Sequence, residues 1–165
     1  MSETRGHDAM MADLSMMTCS DDDPASVLQA VCHYLCRFMA GCHWAGYYLV
    51  DPDRKGELFL GPYYGSPTEH GRIAFGEGIC GQAASGLKTF LVSDVSMEDN
   101  YLSCSPDVRS EIVVPVFFRG ELVGEIDLDS HDLAGFSESD GTFLEWLAER
   151  TGHLADSVRK GADRS

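Results

Sequence analysis

Residues Gly76–Gly86, GEGICGQAASG, decide which of two folds the chain can adopt. The first six spell G-x-G-x-x-G, the pattern that seats a dinucleotide pyrophosphate at a helix N-terminus inside a parallel βαβ unit. Such a unit needs a crossover of at least about ten residues. Only the short run Ile79–Ser85 is available for a crossover helix before the break at Gly86. The sequence therefore excludes a doubly wound sheet here, and we interpret the dinucleotide match as coincidental.

Upstream of this stretch, the pattern predicts one helix followed by a pair of strands. The run Asp21–Pro24 combines N-capping carboxylates with a proline suited to the first helical position, so a helix should run from there to about Met39. Trp44–Val50 and Glu57–Tyr63 are β-rich and are separated by a polar turn, which is typical of a hairpin.

Downstream, short strands are predicted at residues 72–75 and 89–92, followed by a long loop. Ile112–Phe118 and Glu121–Leu128 read as a second hairpin around Arg119-Gly120. The capping box at Ser137–Asp140 opens a last helix that should reach about Val158.

Most strands in this order lie beside their sequence neighbours. We therefore expect an α+β fold, with an antiparallel sheet and the N- and C-terminal helices packed on one face. Residues 21–160 should form a single domain, preceded by an N-terminal segment (residues 1–20) with a short helix through Met10–Met17 and followed by a tail (residues 161–165).

Composition restricts the partners and the compartment. Acidic residues outnumber basic ones 27 to 12, for a formal charge of −15, so nucleic acid and anionic membranes should be repelled. No apolar run approaches the roughly 18 residues that span a bilayer, and the N-terminus lacks a basic region followed by an apolar one. We expect a cytoplasmic protein whose six cysteines are free thiols.

Two cysteines are candidates for redox chemistry. Cys80 should lie in the first turn of a short helix, where the positive end of the helix dipole can lower a thiol pKa; the alternative is a small buried hydrophobe. Cys104 lies in a long polar loop, where a reactive thiol is favoured over an incidental surface cysteine. Cys32 and Cys36 fall on the apolar side of the first helix, so we expect them to pack in the core and predict no metal site.

Three carboxylates alternate along GEIDLDSHD. Strand geometry places Glu125, Asp127 and Asp129 on one face, where they either contact water or converge on a cation. A divalent metal or an ammonium group would both suit oxygen ligands.

Five segments in this order, WAGYYLV, LFLGPYYG, RIAFGEGICGQA, SEIVVPVFFRGELVGEIDLDS and FSESDGTFLEWLA, resemble the free methionine-R-sulfoxide reductases, which are single GAF domains. The resemblance covers roughly Trp44 to Ala148. It implies a GAF-like fold with an antiparallel sheet of about six strands, a closed pocket for one amino acid, and a homodimer. It also implies reduction of free methionine (R)-sulfoxide without a bound cofactor, with thioredoxin, and ultimately NADPH, as the source of electrons.

The resemblance assigns roles to individual residues. Cys104 matches the nucleophile, which would become a sulfenic acid that a second thiol condenses to a disulfide. The acidic residues of the pocket match Glu111, Asp127 and Asp129, which would hold the substrate ammonium, with Asp129 or Glu111 protonating the sulfoxide. Trp44 and Tyr48, on one face of their strand, would form the wall around the methyl end.

The sequence departs from the family pattern at two positions. His70 stands where the family usually has its resolving cysteine, so either Cys80 resolves the sulfenic acid, which we favour, or an external thiol does. Glu125 replaces an aliphatic residue, and its role stays open.

The register of the second hairpin raises a geometric problem. A two-residue turn at Arg119-Gly120 would set Asp127 opposite Ile112 and leave Glu111 on the other face. Since Pro115 cannot donate to the ladder, we predict an irregularity near it that restores Glu111 to the site.

Two other functions fit the same sequence. GAF domains commonly bind small ligands as sensors, and a pair such as Cys80 and Cys104 could also respond to oxidant as a switch without turnover. A sensor alone, however, would not need Cys104 beside three carboxylates.

Overall fold

The computed structural model describes residues 3–102 and 105–162. Its helices are α1 (His7–Met17), α2 (Pro24–Phe38), α3 (Gly78–Gly86) and α4 (Glu138–Gly161), and its strands are β1 (Trp44–Val50), β2 (Glu57–Tyr64), β3 (Arg72–Ala74), β4 (Phe90–Val92), β5 (Ser110–Phe118) and β6 (Glu121–Ser130). A 3-10 turn covers Val95–Met97. Among these helices, none is both long and apolar enough to cross a membrane.

The six strands form one sheet in the order β3-β2-β1-β6-β5-β4, in which every pair is antiparallel. Both predicted hairpins are confirmed, because β1 pairs with β2 and β5 pairs with β6. The connection from β2 to α3 adds only the short edge strand β3. The predicted α+β fold is therefore confirmed, including its antiparallel sheet.

Local signals explain where α2 and α4 begin. The Asp23 carboxylate accepts a hydrogen bond from the Ser26 N–H, and Pro24 occupies the first turn. At α4, the side chain of Ser137 accepts from the Asp140 N–H while the Asp140 carboxylate accepts from the Ser137 N–H, which completes the capping box.

The sheet separates two apolar layers. Helices α1, α2 and α4 cover one face, where residues such as Leu28, Leu128 and Leu147 are fully buried. Helix α3 and the loops around it cover the other face, over Trp44, Tyr48 and Val113. Because side chains alternate along a strand, every second residue of β1, β5 and β6 points towards α3.

The hairpin β5–β6 contains the predicted irregularity. Phe117 pairs with Leu122, but the next pair is Val116 with Gly124, so Val123 is an extra residue in β6. The shift lies one step from Pro115, which itself pairs with Glu125.

Beyond the shift, Glu111 pairs directly with Asp129. Without the extra residue, ideal pairing would leave Glu111 on the opposite face from Asp127. The single inserted residue therefore brings the carboxyl groups of both strands to the face covered by α3.

Candidate active site

Glu125, Asp127 and Asp129 lie on the sheet face covered by α3, and each is almost completely buried, with 0%, 0% and 1% exposure. A water-exposed carboxylate face, one of the two interpretations of this pattern, is therefore wrong. Across β1, these residues pair with Tyr48, Gly46 and Trp44, respectively. The strand register thus places the predicted aromatic wall beside the predicted acidic cluster.

Few hydrogen bonds compensate this burial. Within residues 3–102 and 105–162, both carboxylate oxygens of Glu125 and Asp129, and Oδ1 of Asp127, have no hydrogen-bond partner. Buried carboxylates without partners are costly, because the charged form loses its hydration. The cluster therefore either holds protons or awaits a cation.

The electrostatics of the cluster follow from this burial. Burial raises the pKa of Asp127 to about 6, while hydrogen bonds with Glu111 and Cys80 act in the opposite direction. The pKa of Asp129 is raised well above its usual value, first by burial and then by the negative charge of Asp127. Burial and the same charge also raise the pKa of Glu125. These groups retain protons at a pH where exposed carboxyl groups have lost them.

Helix α3 brings Cys80 to the acidic cluster. Its Sγ donates to Oδ2 of Asp127 at 3.3 Å and lies 4.0 Å from Oε1 of Glu111. Cys80 lies in the first turn of α3, as predicted, but its thiol is buried. Burial, followed by the charges of Asp127, Glu125 and Glu111, raises its pKa well above the usual value. Any effect of the helix dipole is therefore outweighed at this position.

Glycine allows α3 to approach the sheet closely. A Cβ on Gly81 would lie 2.5 Å from the carbonyl oxygen of Ala74, and Gly78 adopts a positive φ of 62° at the first residue of the helix. The close contact between α3 and β3 thus depends on the residue that follows Cys80.

Two recesses adjoin the cluster. One, of about 10 Å³, is lined by a set that includes His70, Ile79, Cys80, Leu102, Glu111 and Asp127. The other, of about 50 Å³, is lined by residues that include His43, Trp44, Ser105, Asp129 and His131. The predicted site residues other than Cys104 are thus divided between these recesses and the strand face between them.

The predicted nucleophile Cys104 lies outside the described residues. Its neighbours in the chain can be placed, since Leu102 lines the first recess and Ser105 lines the second.

The aromatic residues predicted for the wall lie at the edges of this region. Trp44 lines the second recess, and its indole Nε1 donates to the Ser66 carbonyl at 3.0 Å. Tyr48 is fully buried, and its hydroxyl donates to the His70 carbonyl at 2.9 Å. The two rings are 6.4 Å apart.

Sequence analysis missed a pair of histidines beside Asp129. The rings of His43 and His131 stack at 4.3 Å, and Nδ1 of His43 accepts a hydrogen bond from the His131 N–H. The signal was present in DSHD, because His131 follows Asp129 by two residues, but its partner is 88 residues away in the chain.

A sequence profile of the GAF domain matches residues 21–154. The free methionine-R-sulfoxide reductase of Saccharomyces cerevisiae is 40% identical over 108 residues, which are 65% of this chain and 59% of that protein. The Escherichia coli protein of the same name is 33% identical over 105 residues, 64% of this chain and 61% of that protein. The chain thus spans about three fifths of the length of these two relatives.

A solved structure extends the similarity over nearly the whole chain. The free methionine-R-sulfoxide reductase from Neisseria meningitidis, determined in complex with its substrate, superposes with a TM-score of 0.85 at 32% identity, covering 98% of this chain and 100% of that one. Its fold and those of other GAF domains match the sheet and helices described above. The chain therefore belongs to the GAF domain family, in which its relatives at 32–40% identity include free methionine-R-sulfoxide reductases.

Proposed function

We propose that the chain reduces free L-methionine (R)-sulfoxide to methionine through Cys104, with Cys80 as the resolving thiol and thioredoxin as the reductant. The observation that carries the proposal is the buried acidic cluster, whose Asp127 and Asp129 retain oxygens without hydrogen-bond partners among the described residues. An amino acid carries an ammonium group that would supply those missing partners and neutralise charge.

The protonation of the cluster suits the first chemical step. The Cys104 thiolate attacks the sulfoxide sulfur, and the sulfoxide oxygen accepts a proton as the bond between sulfur and oxygen breaks. We assign the proton to Asp129, because burial and the charge of Asp127 keep its pKa high. The released hydroxide then attacks the Cys104 sulfur, the bond between the two sulfur atoms breaks, and methionine leaves Cys104 as a sulfenic acid.

The resolving step requires a second thiol that can lose its proton. The Cys80 sulfur attacks the Cys104 sulfenic acid, the new disulfide forms, and the hydroxyl leaves as water. Oδ2 of Asp127, at 3.3 Å from Cys80 Sγ, can accept the thiol proton during this attack. A thioredoxin-type dithiol then reduces the disulfide by exchange, which returns both cysteines to thiols. His70, at the family's usual resolving position, carries no thiol and cannot perform this step, and we favour Cys80 over an external thiol for it.

The test follows NADPH oxidation in an assay coupled to thioredoxin and thioredoxin reductase, for the wild type, Cys104→Ser, Cys80→Ser and the control Cys19→Ser. Cys19 is an exposed thiol that accepts a hydrogen bond from Arg150 of α4, on the sheet face opposite α3, so its replacement should leave turnover unchanged. We expect no turnover with Cys104→Ser, and at least tenfold slower steady-state turnover with Cys80→Ser.

Single-turnover experiments separate the two cysteine roles. Pre-reduced Cys80→Ser should still release one methionine per chain, whereas Cys104→Ser should release none. The N-acetylated sulfoxide, which has no ammonium group, should be a poor substrate because the acidic cluster then lacks its counter-ion. A wild type that binds methionine sulfoxide without turning it over, even with dithiothreitol, would instead indicate a ligand sensor.

A further inference from the structure

The Cys80 thiol and two carboxyl groups form a compact set of potential metal ligands beneath α3. Sγ of Cys80, one oxygen of Glu111 and one oxygen of Asp127 all lie within 4.8 Å of one another. In a tetrahedral zinc site, with about 2.3 Å to sulfur and about 2.0 Å to oxygen, sulfur and oxygen ligands are about 3.5 Å apart. The distances from Sγ, 3.3 Å and 4.0 Å, lie on either side of that value. Small side-chain rotations would therefore bring these three groups to the distances of zinc ligands.

The surroundings of these three groups favour a cation. Cys80, Glu111 and Asp127 are at most 4% exposed, and Oδ1 of Asp127 has no hydrogen-bond partner among the described residues. The nearby carboxyl groups of Glu125 and Asp129 are also buried, and their oxygens are also without hydrogen-bond partners in the same part of the chain. A divalent ion would stabilise the ionised forms that burial disfavours.

The recess lined by these groups has the right size for an ion. Its volume of about 10 Å³ corresponds to roughly one water-sized sphere, so a single metal ion fits without rearrangement of the fold. A mixed thiolate and carboxylate ligand set suits Zn²⁺ better than the harder Mg²⁺ or Ca²⁺, which prefer oxygen ligands alone.

We propose that Cys80, Glu111 and Asp127 form a Zn²⁺ site that blocks the acidic cluster and the Cys80 thiol. The ion replaces the thiol proton of Cys80 and the proton that Glu111 and Asp127 share in their hydrogen bond, and it binds one oxygen of each carboxylate, so binding releases protons. The inhibition that follows rests on the proposed reductase function, because the bound ion occupies the place of the substrate ammonium and holds Cys80 away from the disulfide. Binding itself does not depend on that function.

The first test measures Zn²⁺ binding to the reduced protein by competition with a chromogenic chelator, in the absence of substrate and of thiol reductants. We expect one site per chain, with affinity at least tenfold lower in Cys80→Ser and in Asp127→Asn. Co²⁺ should give a sulfur-to-cobalt charge-transfer band that is absent from Cys80→Ser. Circular dichroism checks that each variant is folded, and Asp127→Asn keeps the test decisive if Cys80→Ser does not fold.

The matched control is a close pair of thiols in another part of the structure. Sγ of Cys36 and Sγ of Cys42 are 3.5 Å apart at the end of α2, and they offer a rival position for a thiophilic ion. Cys36→Ser should retain wild-type Zn²⁺ affinity. Affinity that survives Cys80→Ser and Asp127→Asn but falls with Cys36→Ser would overturn the proposed site.

The second test asks whether the ion blocks the chemistry. One equivalent of Zn²⁺ should suppress the single-turnover release of methionine from pre-reduced wild type at least tenfold, and excess chelator should restore it. An inactive protein with Cys80-dependent binding would contradict only the reductase. An active protein without Cys80-dependent binding, or one whose turnover is unaffected by the bound ion, would contradict only the inhibitory site.

Discussion

Glu125 is the member of the acidic cluster that stands where the family pattern has an aliphatic residue. It is fully buried, and neither of its carboxylate oxygens has a hydrogen-bond partner among the described residues. Burial and the charge of Asp127 raise its pKa, and Glu125 in turn contributes to the raised pKa of Cys80. The free protein thus carries a buried acid whose ionised form is disfavoured by its surroundings.

Replacing this acid should stabilise the free protein. Glu125→Leu keeps a similar volume and removes an unsatisfied buried group, so we expect the free energy of unfolding at pH 7 to rise by about 1–3 kcal/mol. Glu98→Leu, at an exposed position, should change it by less than about 0.5 kcal/mol. Urea unfolding followed by circular dichroism measures both. A loss of stability in Glu125→Leu would mean that the carboxyl group has a stabilising role in the native protein.

Asp129 should supply the proton in the proposed reaction. Asp129→Asn preserves size but removes the transferable proton, so we expect kcat to fall by about 10²–10⁴-fold. The decline of the wild-type rate at high pH should disappear in the variant, because the group responsible for it is no longer present. Asp132→Asn, which changes an exposed carboxylate three residues away, is the control and should leave the pH profile unchanged. Equal activity of Asp129→Asn and wild type would leave Glu111 as the donor.

The sequence predicts which types of residue the site contains, but it does not determine their ionisation. The alternation of Glu125, Asp127 and Asp129 follows from strand geometry, so their common face was predictable. Whether that face meets water depends on α3, which covers it from a different part of the chain. For the same reason the first-turn position of Cys80 was predictable, whereas its raised pKa was not, because desolvation depends on tertiary packing.

Among the secondary-structure elements, α3 determines the geometry of the site. It is only nine residues long, and it contacts the sheet through a glycine that no other residue can replace without displacement. A Cβ on Gly81 would approach the backbone of Ala74 and Gly76, which cannot rotate away as a side chain could. The next residue in the N-terminal direction is Cys80, so any shift of the helix changes the distance from this thiol to Asp127.

Gly81→Ala should therefore reduce both stability and activity. We expect a loss of about 1–3 kcal/mol in unfolding free energy from overpacking, together with slower turnover. Gly86→Ala, in the same helix, adds a Cβ whose nearest neighbours lie at 3.6 Å or more, so it should be neutral or slightly stabilising. Thermal unfolding and the coupled assay compare the two variants. Similar behaviour of both would show that α3 can shift without cost.

The strands show what a single sequence can reveal about register. Proline in the middle of β5 indicated an irregularity in the strand pairing. The requirement that Glu111 share a face with Asp127 indicated that this irregularity shifts the register by one residue. The position of the extra residue, Val123 in β6, could not be predicted. An extra residue at any of several positions near Pro115 would shift the register by the same single residue. The hairpin turn at Arg119-Gly120 has positive φ at both positions, which matches the right-handed twist of the paired strands.

At the scale of the whole molecule, the formal charge of −15 and the buried acidic cluster both make the folded protein less stable as the pH rises. Raising the pH increases repulsion between surface carboxylates, and it also removes protons from groups that folding has desolvated. Other carboxyl groups instead make the folded protein less stable as the pH falls. Hydrogen bonds and nearby cations lower the pKa of Asp51, Asp94 and Asp156. Their contribution is lost only as the pH falls below about 4.

The free protein should consequently be more stable at pH 5 than at pH 7.5. A carboxyl group whose pKa is raised by folding binds its proton more tightly in the native state. Its contribution to stability therefore falls as the pH rises from its pKa in the unfolded chain to its pKa in the folded protein. For Asp127 these values are 3.8 and about 6, which corresponds to about 1.4 kcal/mol between pH 5 and pH 7.5. Glu125 and Asp129 add to this loss, because burial also raises their pKa values well above the usual range.

Urea unfolding at the two pH values measures the effect, and Asp127→Asn isolates the contribution of one residue. We expect the wild type to lose at least about 2 kcal/mol between pH 5 and pH 7.5, and the variant to lose about 1.4 kcal/mol less than the wild type. Asp132→Asn changes the net charge by the same amount at an exposed position, so it should reproduce the wild-type difference. If both variants reduced the difference equally, the pH dependence would arise from the overall charge. An effect confined to Asp127→Asn would assign it to the same desolvated carboxyl groups that are proposed to bind the substrate ammonium.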